Sequence, residues 1–128
     1  MRIAVWHHLP SGGGKRALYG HAKGLIERGH ELTVWCPQTA DRDFLPLSSL
    51  TTEHVLPVEP GNIPAGVRYL LKAANAKTLA LERMLGMKAH AARFAALVNK
   101  GEFDVWCVNS CRWFYTPFVG RDLTVPSV

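Results

Sequence analysis

The amino-acid sequence predicts an α/β domain built on a doubly wound parallel sheet. Short apolar runs of strand-forming residues alternate with longer segments whose apolar residues recur at helical spacing. Three consecutive glycines stand between the first apolar run and the first helical segment. Strands that alternate with helices form a mainly parallel sheet with helices on its faces. The 128 residues, 48% of them hydrophobic, suffice for the core of one such domain.

The first 37 residues predict one strand–helix–strand unit. Residues 3–6 form an apolar run typical of a strand covered on both faces, and residues 10–14 interrupt it with proline, serine and glycine. A helix is predicted from about Lys15, and Gly29 supplies its stop. The second strand is predicted at residues 32–36. The apolar positions of the helix are Leu18, Ala22, Leu25 and Ile26.

The middle of the chain predicts a third strand followed by a long helical region. Residues 53–58 are predicted as the strand, since prolines mark its end. Residues 67–100 indicate one or two helices, within which Gly86 marks a kink. Their apolar stripe consists of Ala80, Met84, Met87, Ala91, Phe94 and Val98.

The last segment predicts a fourth strand at residues 103–108, a short helix at 113–119 and the start of a further strand at 125–128. In a doubly wound sheet, ligands bind beyond the carboxyl ends of the strands, where the strand order reverses. The candidate ligand-binding segments are therefore the loops that follow strands, at residues 7–15, 37–43 and 109–112.

The glycine run predicts a phosphate-binding corner. Gly12, Gly13 and Gly14 lie between a strand and a helix, where backbone amides without side-chain cover can approach an anion. A nucleoside-triphosphatase loop of the form GxxxxGK[ST] is excluded. Leu9 stands where its first glycine belongs, and Arg16 replaces its hydroxyl residue.

A dinucleotide-binding loop remains an alternative. Residues 12–17 fit the pattern GxGxxA, which is typical of nicotinamide and flavin cofactor sites. Such sites also place an acid near the end of the second strand. Here the first acid after that strand is Asp41, five residues beyond Cys36.

The ordered set of these segments resembles the opening of glycosyltransferase family 4. The resemblance rests on Gly12 to Gly14, on the helix end Leu-Ile-Glu-Arg-Gly-His at residues 25–30 and on the strand at 32–35. Residues 103–109, Phe-Asp-Val-Trp-Cys-Val-Asn, are similar to a later strand of that family that leads into its cleft. The resemblance implies the Rossmann-like N-terminal half of the two-domain GT-B architecture.

This resemblance also implies a function. It implies the retaining transfer of a sugar from a nucleotide-diphosphate sugar to a glycan, lipid-linked or small-molecule acceptor, with no metal and no further cofactor. By position, Gly12 to Gly14 with Lys15 would face the donor's diphosphate. His8, Asn109 and Ser110 would contact the acceptor.

The same resemblance places the catalytic groups outside these residues. The family's cleft histidine falls beyond Val128, and its donor-binding C-terminal domain lies further on. We therefore expect residues 1–128 to be a partial acceptor-side domain that is inactive alone. An oxidoreductase's NAD- or FAD-binding domain and a non-enzymatic interaction module remain alternatives, and dimerisation through the uncovered sheet edge is a further expectation.

Charge and cysteine usage restrict the cellular setting. Residues 67–100 hold seven basic residues against one acid, a net charge of +6 in a chain whose total is +5. The basic positions scatter around the helix, which favours a solvated face over peripheral membrane contact, and no nucleic-acid-binding module is recognisable.

Three cysteines without a paired motif and six scattered histidines predict neither disulfide nor zinc site. We expect a cytoplasmic protein, with the inner face of the membrane as its alternative location.

Overall fold

A computed structural model describes residues 1–74, 78–113 and 118–128 of the chain. The described residues form four strands and three α-helices, with 3-10 turns at Leu47–Ser49 and Phe118–Gly120. One helix follows the first strand, and the other two lie in succession between the third and fourth strands. The strands are β1 (Arg2–His8), β2 (Glu31–Cys36), β3 (Thr52–Val55) and β4 (Val105–Cys111). The helices are α1 (Gly13–Glu27), α2 (Ala65–Ala73) and α3 (Thr78–Lys100).

All four strands belong to one parallel sheet in the order β3-β2-β1-β4. The chain moves outward from β1 through β2 to β3 and then crosses to the other side of β1 for β4. The strand order therefore reverses between β1 and β4. This arrangement confirms the predicted α/β class with a parallel sheet.

The sheet has a hydrophobic core on each face because the side chains of β1 alternate. Ile3 and Val5 pack with Leu18 of α1 on one face. Ala4 and Trp6 pack with α3 residues, including Phe94, on the other. Burial on both faces explains why β1 reads as a continuous apolar run rather than as an alternating pattern.

Gly86 permits close packing against α3, which continues as one helix through this position. A methyl group at Gly86 would lie 2.2 Å from the backbone oxygen of Glu59. The adjoining Gly61 donates its amide to the carbonyl of Glu82 over 2.9 Å. The segment after β3 thus crosses α3 at a distance that only glycine allows. The predicted kink at this position stays a prediction.

The apolar stripe of α3 is buried only in its second half. Met87, Ala91, Phe94 and Val98 are buried, whereas Ala80 and Met84 are exposed. The first half of α3 contacts α2 instead, through an ion pair between Arg68 and Glu82 at 2.8 Å.

Several predicted boundaries differ from the structure. The third strand ends at Val55 rather than at residue 58, and β4 extends to Cys111, beyond the predicted 108. Of the short helix predicted at 113–119, residues 114–117 lie outside the described residues.

Near the chain end, the Trp106 amide donates to the Pro126 carbonyl over 2.9 Å, and Ser127 forms a parallel bridge with Trp106. This pairing agrees with a further strand at the β4 edge.

Candidate functional site

The carboxyl ends of the strands carry a cleft at the reversal of strand order. The loop after β2 is fastened to the end of β1, because the Asp41 amide donates to the Leu9 carbonyl over 3.0 Å. The end of β4 is fastened there too, since the Arg112 amide donates to the His8 carbonyl over 3.1 Å. Parts of all three loops that the sequence singled out therefore meet at one edge of the sheet.

The cleft has a volume of about 430 Å³ and a mostly polar lining. Its size is within the roughly 300–1,000 Å³ that is common for small-molecule sites. The lining consists of Pro10, Ser11, Gln38, Thr39, Ala40, Asp41, Arg42, Asp43 and Arg112. Among the described residues, neither Arg42 nor Arg112 forms an ion pair, and both are exposed.

The glycine corner is exposed beside this cleft. Gly12 precedes α1 with φ 137° and ψ −160°, a conformation that favours glycine, and no side chain caps the helix. The amides of the first helical turn have no acceptor within the helix, so they remain available to an anion. A Cβ atom at Gly13 would meet nothing within 4 Å. The corner can therefore admit a ligand oxygen close to its backbone.

Lys15 points into the protein, away from the exposed corner. Its side chain is fully buried, and its Nζ donates to the Asp41 carbonyl over 3.0 Å. The same ammonium lies 3.9 Å from Oε1 of Glu53, whose side chain is 3% exposed. Lys15 thus joins the first turn of α1 to the cleft loop and to β3. Its assignment to the donor phosphate stays a prediction.

His7 completes this buried cluster in its neutral form. Its Nε2 lies 3.2 Å from Glu53 Oε1, while its Nδ1 accepts the Leu9 amide over 3.4 Å. This pattern assigns the proton to Nε2. Burial lowers the pKa of His7, against the opposing effect of the Glu53 hydrogen bond. Burial also lowers the pKa of Lys15, and the Glu53 carboxylate opposes that shift.

The Glu53 carboxylate is ionised in this cluster. Burial alone would raise its pKa, but the hydrogen bond from His7 and the charge of Lys15 outweigh burial and lower the pKa. The carboxylate therefore balances the Lys15 ammonium inside the protein. Glu53 had no predicted role, because a single acid in a short strand gives no signal in the sequence.

The ligand atoms of His7, Cys36 and Glu53 lie within 4.8 Å of one another, close enough to surround a metal ion. Two features favour an internal ion pair instead. Lys15 already supplies the positive charge beside Glu53. Burial raises the pKa of Cys36 to about 12, which keeps the sulfur protonated, and it donates to Glu53 over 3.8 Å.

His8 lies beneath the cleft wall. Its Nε2 is 2.8 Å from the Thr39 hydroxyl oxygen, and its Nδ1 is 3.3 Å from the Cys111 sulfur. Its ring stands edge-on to Trp113 with the ring centroids 4.8 Å apart. Burial, reinforced by the charge of Arg112, lowers the pKa of His8 to about 4. The imidazole is therefore neutral at physiological pH, and it connects β1, β4 and the cleft loop.

The other two predicted acceptor contacts lie within β4. Asn109 is half-buried and Ser110 is exposed, and neither lines the cleft. Their role stays a prediction.

A second, mainly apolar pocket of about 180 Å³ opens beside Trp113. The Arg83 guanidinium lies over the Trp113 ring, 5.3 Å from the ring centroid. Its remaining lining residues are Val58, Glu59, Pro60, Leu79 and Glu82.

Comparison of the chain with known protein families, with characterised proteins and with solved structures found no match. Within the described residues, no helix is both long and apolar enough to cross a membrane.

Proposed function

We propose that this chain forms the acceptor-side half of a retaining glycosyltransferase with the GT-B architecture. In such a transfer, the bond between the donor's anomeric carbon and its diphosphate breaks. A bond to an acceptor oxygen forms, and the acceptor's hydroxyl proton leaves with the diphosphate. A second domain supplies the nucleotide pocket and the remaining catalytic groups.

The observation that carries this proposal is the exposed glycine corner at the carboxyl edge of the sheet. Gly12 and Gly13 lie uncovered at the start of α1, with the free amides of the first turn. A diphosphate oxygen can approach these amides because no Cβ stands in the way. Partial positive charge at a helix N-terminus favours the departing diphosphate more as its negative charge grows.

The polar cleft beside this corner supports the assignment of an acceptor site. Its walls offer hydroxyl, carboxylate and guanidinium groups, which can donate and accept the hydrogen bonds of a hydroxylated acceptor. Arg42 and Arg112 carry side chains that are free to reorient toward a ligand, since no carboxylate in the described residues holds them. The internal cluster around Glu53 fixes the loop that supplies this wall.

Titration of the chain with UDP, GDP and NAD, followed by NMR of backbone amides, tests the proposal. We expect a nucleoside diphosphate to shift the amide signals of Gly12, Gly13 and Gly14. Gly13→Asp should abolish these shifts and leave the fold intact, because it puts a carboxylate where the phosphate binds. Gly20→Asp is the matched control, since Gly20 is an exposed glycine of the same helix with open space around it.

Two results would overturn the proposal. Binding of NAD without any response to nucleoside diphosphates would favour the dinucleotide alternative. Nucleoside diphosphate binding that Gly13→Asp leaves unchanged would remove the glycine corner from the site.

A further inference from the structure

Some polar groups that line the 430 Å³ cleft are already bonded within the protein. The Gln38 side chain donates to the Val58 carbonyl over 2.9 Å and accepts the Val58 amide over 2.7 Å. The Thr39 hydroxyl lies 2.8 Å from the imidazole at the end of β1. Oδ1 of Asp41 accepts the Phe44 amide over 2.9 Å. These contacts fix the wall that the loop after β2 supplies.

The remaining charged and hydroxyl groups of the lining are available to a ligand. Ser11, Arg42, Asp43 and Arg112 are all exposed. Within residues 1–74, 78–113 and 118–128, none of their side chains forms a hydrogen bond or an ion pair. Two arginines and one aspartate give these available groups a net charge of +1. The part of the cleft that can respond to a ligand therefore favours an anion.

The two guanidinium groups come from opposite sides of β1. Arg42 belongs to the loop after β2, and Arg112 directly follows β4. Since β2 and β4 are the two neighbours of β1 in the sheet, these arginines flank the end of the central strand. A guanidinium group is planar and always charged, and it binds a carboxylate or a phosphate through two parallel hydrogen bonds. One oxyanion above the end of β1 can thus be contacted from both sides.

We propose that the cleft takes an anionic acceptor, a small hydroxylated molecule whose carboxylate or phosphate group binds between Arg42 and Arg112. Ser11 and Asp43 contact its hydroxyl groups, because a serine hydroxyl donates and accepts hydrogen bonds and a carboxylate accepts them. The inference rests on the proposed function, since it treats the cleft as the acceptor site. The donor's diphosphate binds at the glycine corner, so each of the two anions has its own positive partner.

Titration of the 128-residue chain with glucose 6-phosphate, glucuronate and glucose, followed by NMR of backbone amides, tests this inference. We expect both anionic sugars to shift the amide signals of Ser11, Arg42 and Arg112. At least one of them should bind about tenfold more tightly than glucose, which lacks the charged partner of the arginines. The difference between the two anionic sugars distinguishes a phosphate site from a carboxylate site.

Three variants separate recognition of the anion from recognition of the sugar hydroxyls. Arg42→Gln and Arg112→Gln should each weaken binding of the preferred anionic sugar about tenfold and leave glucose binding unchanged. Asp43→Asn should tighten binding of that sugar about two- to fivefold, because it removes the negative charge among the available groups. Arg28→Gln is the matched control, since Arg28 is an exposed arginine at the opposite end of α1.

Three results would overturn the inference. The first is equal binding of glucose and the anionic sugars, and the second is binding that neither arginine variant weakens. The third is loss of UDP binding in Arg42→Gln or Arg112→Gln, because the arginines would then hold the donor's diphosphate. Failure of the proposed function gives a different result. The wild-type chain would then bind neither UDP nor GDP, while binding of the anionic sugar would still depend on both arginines.

Discussion

The ammonium of Lys15 donates a hydrogen bond of 3.0 Å to the backbone carbonyl of Asp41. Lys15 belongs to the first turn of α1, directly after the glycine corner, and Asp41 lines the cleft. The two parts of the candidate site are therefore connected through the interior, beneath the surface that a ligand touches. Glu53 balances the charge that this connection requires.

Replacement of Lys15 by Met should destabilise the chain strongly. The Glu53 carboxylate would remain buried without its partner, and breaking a buried pair costs about 3–5 kcal/mol. Urea denaturation measures the free energy of unfolding directly. The double variant Lys15→Met/Glu53→Gln should lose much less than the two single variants together, because it leaves no buried charge. Strictly additive losses would show that the two groups do not interact.

The buried neutral state of His8 should make stability fall on acidification. The pKa of His8 is lowered from 6.5 to about 4, so between these values the unfolded chain binds a proton that the folded chain does not. Stability that is present above pH 6.5 is therefore lost as the pH falls toward about 4.

Replacement of His8 by Gln, which keeps a polar side chain beside Thr39, should reduce the slope of unfolding free energy against pH by up to about 1.4 kcal/mol per unit in this window. Denaturation at a series of pH values checks this slope. His21→Gln, at an exposed position of α1, is the control. A slope that His8→Gln does not change would contradict the assignment of a neutral buried imidazole.

Replacement of Gly86 by Ala should destabilise α3 despite the better helix propensity of alanine. Its methyl group would meet the Glu59 carbonyl at 2.2 Å, and overpacking of this kind costs roughly 1–3 kcal/mol. Gly20→Ala in α1 has open space and should instead stabilise by about 0.5–1 kcal/mol. Thermal unfolding of both variants gives the comparison. Two variants that shift in the same direction would contradict the close packing of residues 58–61 against α3.

The isolated 128 residues should transfer no sugar from a nucleotide-diphosphate donor. The glycine corner forms one wall of the proposed site, and stabilisation of a leaving diphosphate needs groups on the opposite wall as well. An assay that detects release of nucleoside diphosphate from UDP- and GDP-sugars checks this expectation. Turnover by the purified chain would contradict the two-domain proposal.

The sequence predicted the architecture because each element carries its own local signal. The apolar runs of β1 and β2 are covered on both faces, and Gly29, which ends α1 with φ 82°, was recognisable from its place after the helical repeat. The corner at Gly12 was recognisable for the same reason. In the structure Gly12 has a positive φ and is exposed.

The burial of the Lys15 side chain and the close packing at Gly86 could not be predicted from local sequence signals. Lys15 contacts Glu53, which is 38 positions away in the sequence and reaches it only after two strands have paired. Gly86 meets Glu59 through a segment whose path is set by the end of β3. Both depend on contacts between distant residues, and neither leaves a periodic pattern.

The side chains of β1 alternate between the two faces of the sheet, and this alternation restricts the register in which the strand can pair. His7 faces α1 and bonds to Glu53, while His8 faces the opposite layer and contacts Cys111. A slip of one residue would turn each side chain to the opposite face of the sheet, so that His7 and His8 could not both keep these partners. The different partners of these two consecutive histidines therefore specify one register of β1 in the sheet. Insertions or deletions within residues 2–8 should be among the least tolerated in the chain.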